Sequence, residues 1–531
     1  MPIESKSDFK FNIDLGRTIG KNTLFSVVAK IIRVGIRMLM VPVVIHYIGL
    51  DGFGIWAVIA ALASYMTLGV AGSGAALQKY VAESTGTGDF DRASSVLSVG
   101  GSLVFVFSIS ILVPLALLSH KLPQIMNIPK GFTVVFLHSL TILAIAMIFS
   151  NIGAVYGSIV MGGHRIDLAR IVDLICVLIE SVSIFLLLIY GFGILGLAIS
   201  LASAEVIRGI LYFILSARVL PSIKIRPSKI TRPVIKGVIP FIAGYQLLNC
   251  LEIAYASILP LLILKYFDPE LTGIFAVCSR LINVAILIPE AFLLPLLSGA
   301  AWIYAKRKFE QFSFLLHDAM KFTLTVLVPI LVFLSLFGNK IFFGLTGHQD
   351  HLVLPSLILL SGAILFKAVS RNYFIMYRAA GGTWRDIIWT IIRILLLWGA
   401  FGLGIHFWQY NGGLIAYLLT ELVGMIFMQS TIKKTMQTVQ LRSMLSDFLK
   451  LIIGSLFICS ICATLILLPL PLFGKDRFIA LLHTAIASLL FLLMGGYTLW
   501  KSGYLSLKEK ESVKSILLNL NMKQFARAKY S

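Results

Sequence analysis

Gly54-Ile55-Trp56-Ala57-Val58 and Gly273-Ile274-Phe275-Ala276-Val277 stand 219 positions apart, and the same step carries Phe90 onto Phe309, Gly162-Gly163 onto Gly381-Gly382 and Asp167 onto Asp386. With one residue more, the step takes Tyr190 and Gly193 to Tyr410 and Gly413; with one fewer it takes Pro42 to Pro260. A duplicated architecture is the simplest account. Each copy holds about six apolar stretches. An even number of crossings leaves both copies in the same orientation, related by an axis along the membrane normal, and two such lobes around a central cavity form a transporter architecture.

Composition points to the membrane independently of the repeat. The 531 residues are 58% hydrophobic and 13% charged, with a mean hydropathy of +0.93, far outside the range of a soluble domain of this length. A helical span needs about 20 apolar residues. About fourteen stretches qualify, within 22–46, 53–71, 94–118, 132–155, 168–189, 193–216, 236–265, 271–303, 317–338, 352–377, 385–407, 412–432, 447–470 and 477–500. The predicted fold is an all-α polytopic membrane protein of about 14 transmembrane helices, two parallel-repeat six-helix lobes around a central cavity plus two C-terminal helices. The chain divides into a tail over 1–15, an N-lobe over 16–218, a basic linker over 219–233, a C-lobe over 234–432, the last two spans over 433–502 and a basic amphipathic tail over 503–531.

The N-terminus is polar through Asp14, without a short apolar run and small-residue cleavage site, so no signal peptide is expected. Lys and Arg accumulate on the cytoplasmic side of membrane proteins. Lys6, Lys10, Arg17, Lys21, Arg165, Arg170, Arg218, Lys224, Arg226, Lys306 to Lys308, Lys433 and Lys434 fall on one side, which predicts that both termini are cytoplasmic. The formal net charge of +21 follows from this bias and from affinity for anionic headgroups, so nucleic acid is not an expected partner. Cys176, Cys250, Cys278, Cys459 and Cys462 all lie inside spans, and Cys459-x-x-Cys462 reads as packing rather than a redox or zinc pair. Ser506 to Glu509 resembles a helix capping box, opening a basic segment expected to lie on the membrane surface.

Charged side chains inside the spans carry the functional signal. Lys30, Arg33 and Arg37 fall on one face of the first span. Each central cation costs about 2.5–3.5 kcal/mol to insert, about 7–11 for three, so that face is not expected to meet lipid. The eighth span carries Arg280, Asn283 and Glu290 on one face, the tenth carries Lys367 and Arg371, and the seventh carries Glu252 near mid-depth. Glu180, Glu205, Arg208, Arg393 and Glu421 are further intramembrane charges. The repeat does not duplicate these groups: from Lys30, Arg33 and Arg37 it reaches Leu248, Leu251 and Tyr255, and from Arg280, Lys367 and Arg371 it leads back to Ala61, Ile148 and Ile152. The scaffold is doubled and the charges are not, which reads as an asymmetric ligand site.

Net cationic character points to an anionic substrate, and the planar Arg fork suits phosphate. No GxxxxGK[ST] motif is present, so an H+, Na+ or substrate gradient must supply energy, with Glu252 as the candidate ion-coupling residue and no cofactor expected. The His348-Gln349-Asp350-His351 cluster lacks the spacing of a metal site, and neither catalytic nor metal-ligating residues are assigned.

The segment from Gly16 to Leu97 resembles Wzx-type oligosaccharide flippases. The likeness rests on the basic first helix, Pro42, Ile48-Gly49, the Gly52-Phe53-Gly54-Ile55-Trp56 turn and Gly88-Asp89-Phe90-Asp91-Arg92-Ala93, with Gly273 to Val277 and Gly381-Gly382 in the second half. These flippases form the polysaccharide transporter branch of the multidrug/oligosaccharidyl-lipid/polysaccharide exporter superfamily. The resemblance implies alternating access and translocation of undecaprenyl-diphosphate-linked glycans across a bacterial inner membrane for surface polysaccharide biosynthesis, O-antigen and lipopolysaccharide included. Polysaccharide polymerase and glycosyltransferases are candidate partners beside the lipid bilayer. The family's cationic cavity maps onto Lys30, Arg33, Arg37, Arg280 and Arg371 as substrate-binding residues. Alternative readings are a multidrug/cation antiporter, which would favour the acidic Glu252, Glu290 and Glu180, a lipid II flippase, a membrane-embedded glycan polymerase or ligase, and a scaffold for envelope assembly.

Overall fold

A computed structural model describes residues 6–70, 73–226, 230, 232–381, 384–435, 451–458 and 477–501. The Cys459–Cys462 pair, most of the thirteenth span, Gly382 and the tail from residue 502 onward lie outside them, so the expectations for those segments are not addressed structurally.

Helices follow the apolar stretches: α1 (Lys6–Met66), α2 (Ser73–Thr87), α3 (Phe90–Leu118), α4 (Leu122–Ile125), α5 (Lys130–Gly162), α6 (Ile166–Ile189), α7 (Gly193–Val219) and α8 (Arg232–Tyr266). Then come α9 (Pro269–Ala285), α10 (Leu287–Ala305), α11 (Phe309–Thr346), α12 (Val353–Ala379), α13 (Trp384–Thr435), a short α14 (451–458) and α15 (Arg477–Lys501). Eight of the described helices are long and apolar enough to cross a membrane, and the molecule is an all-α, multi-pass membrane protein. Part of the difference from the fourteen stretches read from sequence lies in how helices join and break, and part in the count being made over the described residues alone. α1 runs through the first two stretches with a kink at Gly49 (φ 72°, ψ 175°), a left-handed conformation that glycine adopts without a Cβ penalty. α13 likewise runs through the eleventh and twelfth, kinked at Trp408 and Gln409, whereas the eighth is divided into α9 and α10 at Ile286.

The start of α9 shows how the second copy makes the turn that Gly49 makes in the first. Asp268 accepts a hydrogen bond from the Leu271 amide at 2.7 Å, and Pro269 occupies the first helical turn, where its missing N–H costs nothing.

The repeated glycines meet. A Cβ on Gly54 would lie 1.9 Å from the Pro269 carbonyl oxygen and 2.8 Å from the Gly273 amide nitrogen, and one on Gly273 would lie 2.4 Å from the Leu50 carbonyl oxygen. Backbones approach this closely only where both side chains are absent. Around this crossing a continuous core joins the halves, with Phe53, Ile55 and Ile59 from α1, Ile263 from α8, Ile274 and Val277 from α9, and Leu357 from α12. Part of the proposed linker is packed rather than free: the amides of Lys224 and Arg226 donate to Ser94 Oγ (3.1 Å) and Ser98 Oγ (2.9 Å) of α3, and Ile223 is buried there.

Candidate substrate cavity

The basic stripe of α1 fans out between the two halves. Lys30 Nζ is 3.0 Å from Glu290 Oε2 of α10. Arg33 reaches Asp173 of α6 at 3.8 Å, and Arg37 donates to Glu180 Oε2 of α6 at 2.8 Å. Side chains three and four residues apart share a face, yet Lys30 turns toward the second half while Arg33 and Arg37 turn toward the first.

Lys30 lines a cavity of about 400 Å³ with residues of α8, α10, α12 and α13. Five cations, Lys30, Lys367, Arg371, Arg378 and Arg393, face three carboxylates, Glu252, Glu290 and Glu421. Arg371 is 3.5 Å from Glu290, and Arg378 is 3.6 Å from Glu252 while also hydrogen-bonding Asp386, which is fully buried. Arg393 lies over the Tyr255 ring at 3.7 Å and 4.0 Å from Glu421, whose other contact is the Tyr255 hydroxyl, donating at 2.8 Å. This last group is sealed, with side-chain exposures of 9% for Arg393 and 2% for Glu421. Lys367 alone among the five cations has no carboxylate within 4 Å among the described residues.

A second cavity, of about 520 Å³, lies between α1, α6, α7 and α9 and is lined by Arg37, Glu180, Glu205 and Arg280 together with Phe53 and Trp56. Arg280 stacks over Phe53 at 4.7 Å. Glu205 binds Arg208 and accepts from Ser150 Oγ at 2.6 Å. Behind it, Asp173 gathers Arg170 at 3.0 Å and Arg208 at 3.8 Å as well as Arg33. A small cavity of about 150 Å³ adjoins both, sharing Tyr255, Ala256 and Lys367 with the first and Asn283 with the second.

The sequence-derived candidates therefore divide. Lys30, Arg371 and Glu252 line the first cavity and Arg37 and Arg280 the second; Arg33 lines neither and is held by Asp173. Sequence reasoning did not single out Asp173 or Arg378. Asp173 was legible, standing three residues after Arg170 and seven before Glu180, so on their face of α6. Arg378 sits one residue past the tenth apolar stretch and read as an end charge.

Residues 19–251 match the family described as polysaccharide biosynthesis protein. No curated protein matches the sequence. Among solved structures, the lipid II flippase MurJ in an inward closed conformation superposes with a TM-score of 0.61 at 16% identity, over 90% of this chain and 98% of that one. A multidrug resistance MATE family transporter of the MOP superfamily, inward-facing, gives 0.61 at 15% identity, over 76% and 98%. A MOP superfamily transporter from Pyrococcus furiosus, described as having a binding pocket of reverse polarity, gives 0.57 at 15%, over 77% and 94%. The chain thus has the polytopic fold shared by MATE and MurJ-type transporters.

Proposed function

We propose that this protein is a flippase that moves undecaprenyl-diphosphate-linked oligosaccharide across the bacterial inner membrane by alternating access, for surface polysaccharide biosynthesis. The observation that carries this reading is the cationic lining of the first cavity, where five cations face three carboxylates, with Asp386 behind Arg378 as a fourth, and where Lys367 has no carboxylate within 4 Å among the described residues. A buried charge is stable only when paired, so the missing anion is supplied by the ligand, and a diphosphate fits that requirement. The polysaccharide biosynthesis match over residues 19–251 supports the glycan. Arg280, facing the second cavity beside Phe53 and Trp56, is placed to meet the attached sugars or their acidic groups. Glu252 couples transport to an H+ or Na+ gradient through its pairing with Arg378.

The test is movement of a fluorescent undecaprenyl-diphosphate oligosaccharide across proteoliposomes by wild type and Lys367→Gln at matched folded protein. Wild-type movement that Lys367→Gln abolishes supports the proposal. Transport of an organic cation in place of the glycan overturns it in favour of the antiporter, whose acidic residues would then be Glu252, Glu290 and Glu180.

A further inference from the structure

Glu290 occupies the first turn of α10, immediately past the break at Ile286, whose carbonyl accepts the Glu290 amide at 3.0 Å. Its two carboxylate oxygens serve two different cations: Oε2 lies 3.0 Å from Lys30 and Oε1 3.5 Å from Arg371. Lys30 comes from α1 and Arg371 from α12, so one side chain ties the two halves across the cavity. Neither cation has a second carboxylate within 4 Å among the described residues, whereas Arg378 has both Asp386 and Glu252. Accessibility separates this tie from the sealed Arg393–Glu421 pair, because Glu290 is 24% exposed and its partners 34% and 42%.

A carboxylate that presents its two oxygens to two separate cations occupies the positions that two phosphate oxygens would take. Resting on the flippase reading above, we propose that Glu290 is an internal stand-in for the substrate anion: it holds Lys30 and Arg371 while the cavity is empty and is displaced when a diphosphate arrives. Glu290 is a positioning residue that competes with substrate. Its displacement replaces a link within the protein by a link through the cargo, so the halves are free to rearrange only when the cavity is loaded.

The proposal is tested by titrating the full-length protein in detergent with inorganic pyrophosphate, at fixed ionic strength, by calorimetry. Removing the competitor tightens binding, and Glu290→Gln is expected to bind at least about tenfold more tightly than wild type, the scale of one lost charge-assisted contact. Glu290→Asp stays near wild type. Glu252→Gln removes the same charge from the same cavity but leaves the Glu290 contacts of Lys30 and Arg371 in place, and tightens binding by less than about threefold, as a screened charge does. If Glu290→Gln fails to fold, Glu290→Ala carries the same expectation. Unchanged or weaker binding by the Glu290 variants, or equal tightening in Glu252→Gln, overturns this inference and leaves the flippase reading standing. Absence of binding to wild type and to every variant overturns both.

Discussion

Lys367 and Arg393 line the same cavity and are opposites in what they hold. Arg393 covers Tyr255 and faces Glu421 in a nearly closed pocket, so Arg393→Gln leaves a buried carboxylate without its cation, a loss of about 3–5 kcal/mol. Lys367 has no such partner among the described residues, and Lys367→Gln is expected to leave thermal stability unchanged or slightly raised while weakening pyrophosphate binding at least about tenfold. Melting curves and titrations of the two variants check the contrast; a destabilised Lys367→Gln would mean that the lysine is a structural cation. Which charges lie in the membrane was legible from the apolar stretches around them. Their partners were not, because Lys30 meets Glu290 at a separation of 260 positions and no local pattern encodes that encounter. The duplicated Asp167 and Asp386 make the same point. Arg165 grips the first from two residues away, in the open, at 3.1 Å; Arg378 holds the second from eight residues away, with Asp386 wholly buried.

At the scale of elements, the glycine repeat predicts more than a shared ancestry of the halves. Gly54 on α1 and Gly273 on α9 meet close to the kink at Gly49, while Lys30 lies 19 residues earlier, about 28 Å along the helix. The halves are therefore in backbone contact near the kink of α1, and the charged cavity opens away from it. Adding a methyl group at Gly54 drives it into the Pro269 carbonyl, an overpacking cost of about 1–3 kcal/mol that falls only on the state in which this crossing is closed. Gly54→Ala is thus expected to raise the labelling of a cysteine placed at Asn283, in a background free of the native thiols, by reagent applied from the side of the Gly49 kink. Gly35→Ala, on the same helix with nothing within 4 Å of its Cβ, should leave labelling unchanged. Equal effects from both substitutions would remove the crossing from the conformational cycle. The duplicated pentapeptide made this contact findable from sequence, since close backbone approach leaves glycine in both copies. The joining of two apolar stretches into one kinked helix, in α1 and α13, was hidden because apolar periodicity runs through a kink unchanged.

For the whole molecule, the two halves of the chain share one core but not one electrostatic design. The second cavity balances Arg37 and Arg280 with Glu180 and Glu205, whereas the first carries surplus positive charge; the duplication doubled the frame, and the chemistry resides in what departs from it. A cavity carboxylate that holds a protein cation in one part of the cycle and H+ or Na+ in the other ties the rearrangement of the carrier to an ion gradient. Glu252 is suited to this, because its partner Arg378 has a second, wholly buried carboxylate in Asp386 to retain it when Glu252 lets go. In proteoliposomes with an imposed pH or sodium gradient, wild type is expected to accumulate the fluorescent lipid-linked glycan on one side. Glu252→Gln is expected to equilibrate it down its own gradient at a comparable rate without responding to the imposed one. A Glu252→Gln protein that still concentrates the glycan when the gradient is applied would move the coupling site away from this carboxylate. Loss of both downhill and driven movement would assign Glu252 to holding Arg378 rather than to coupling.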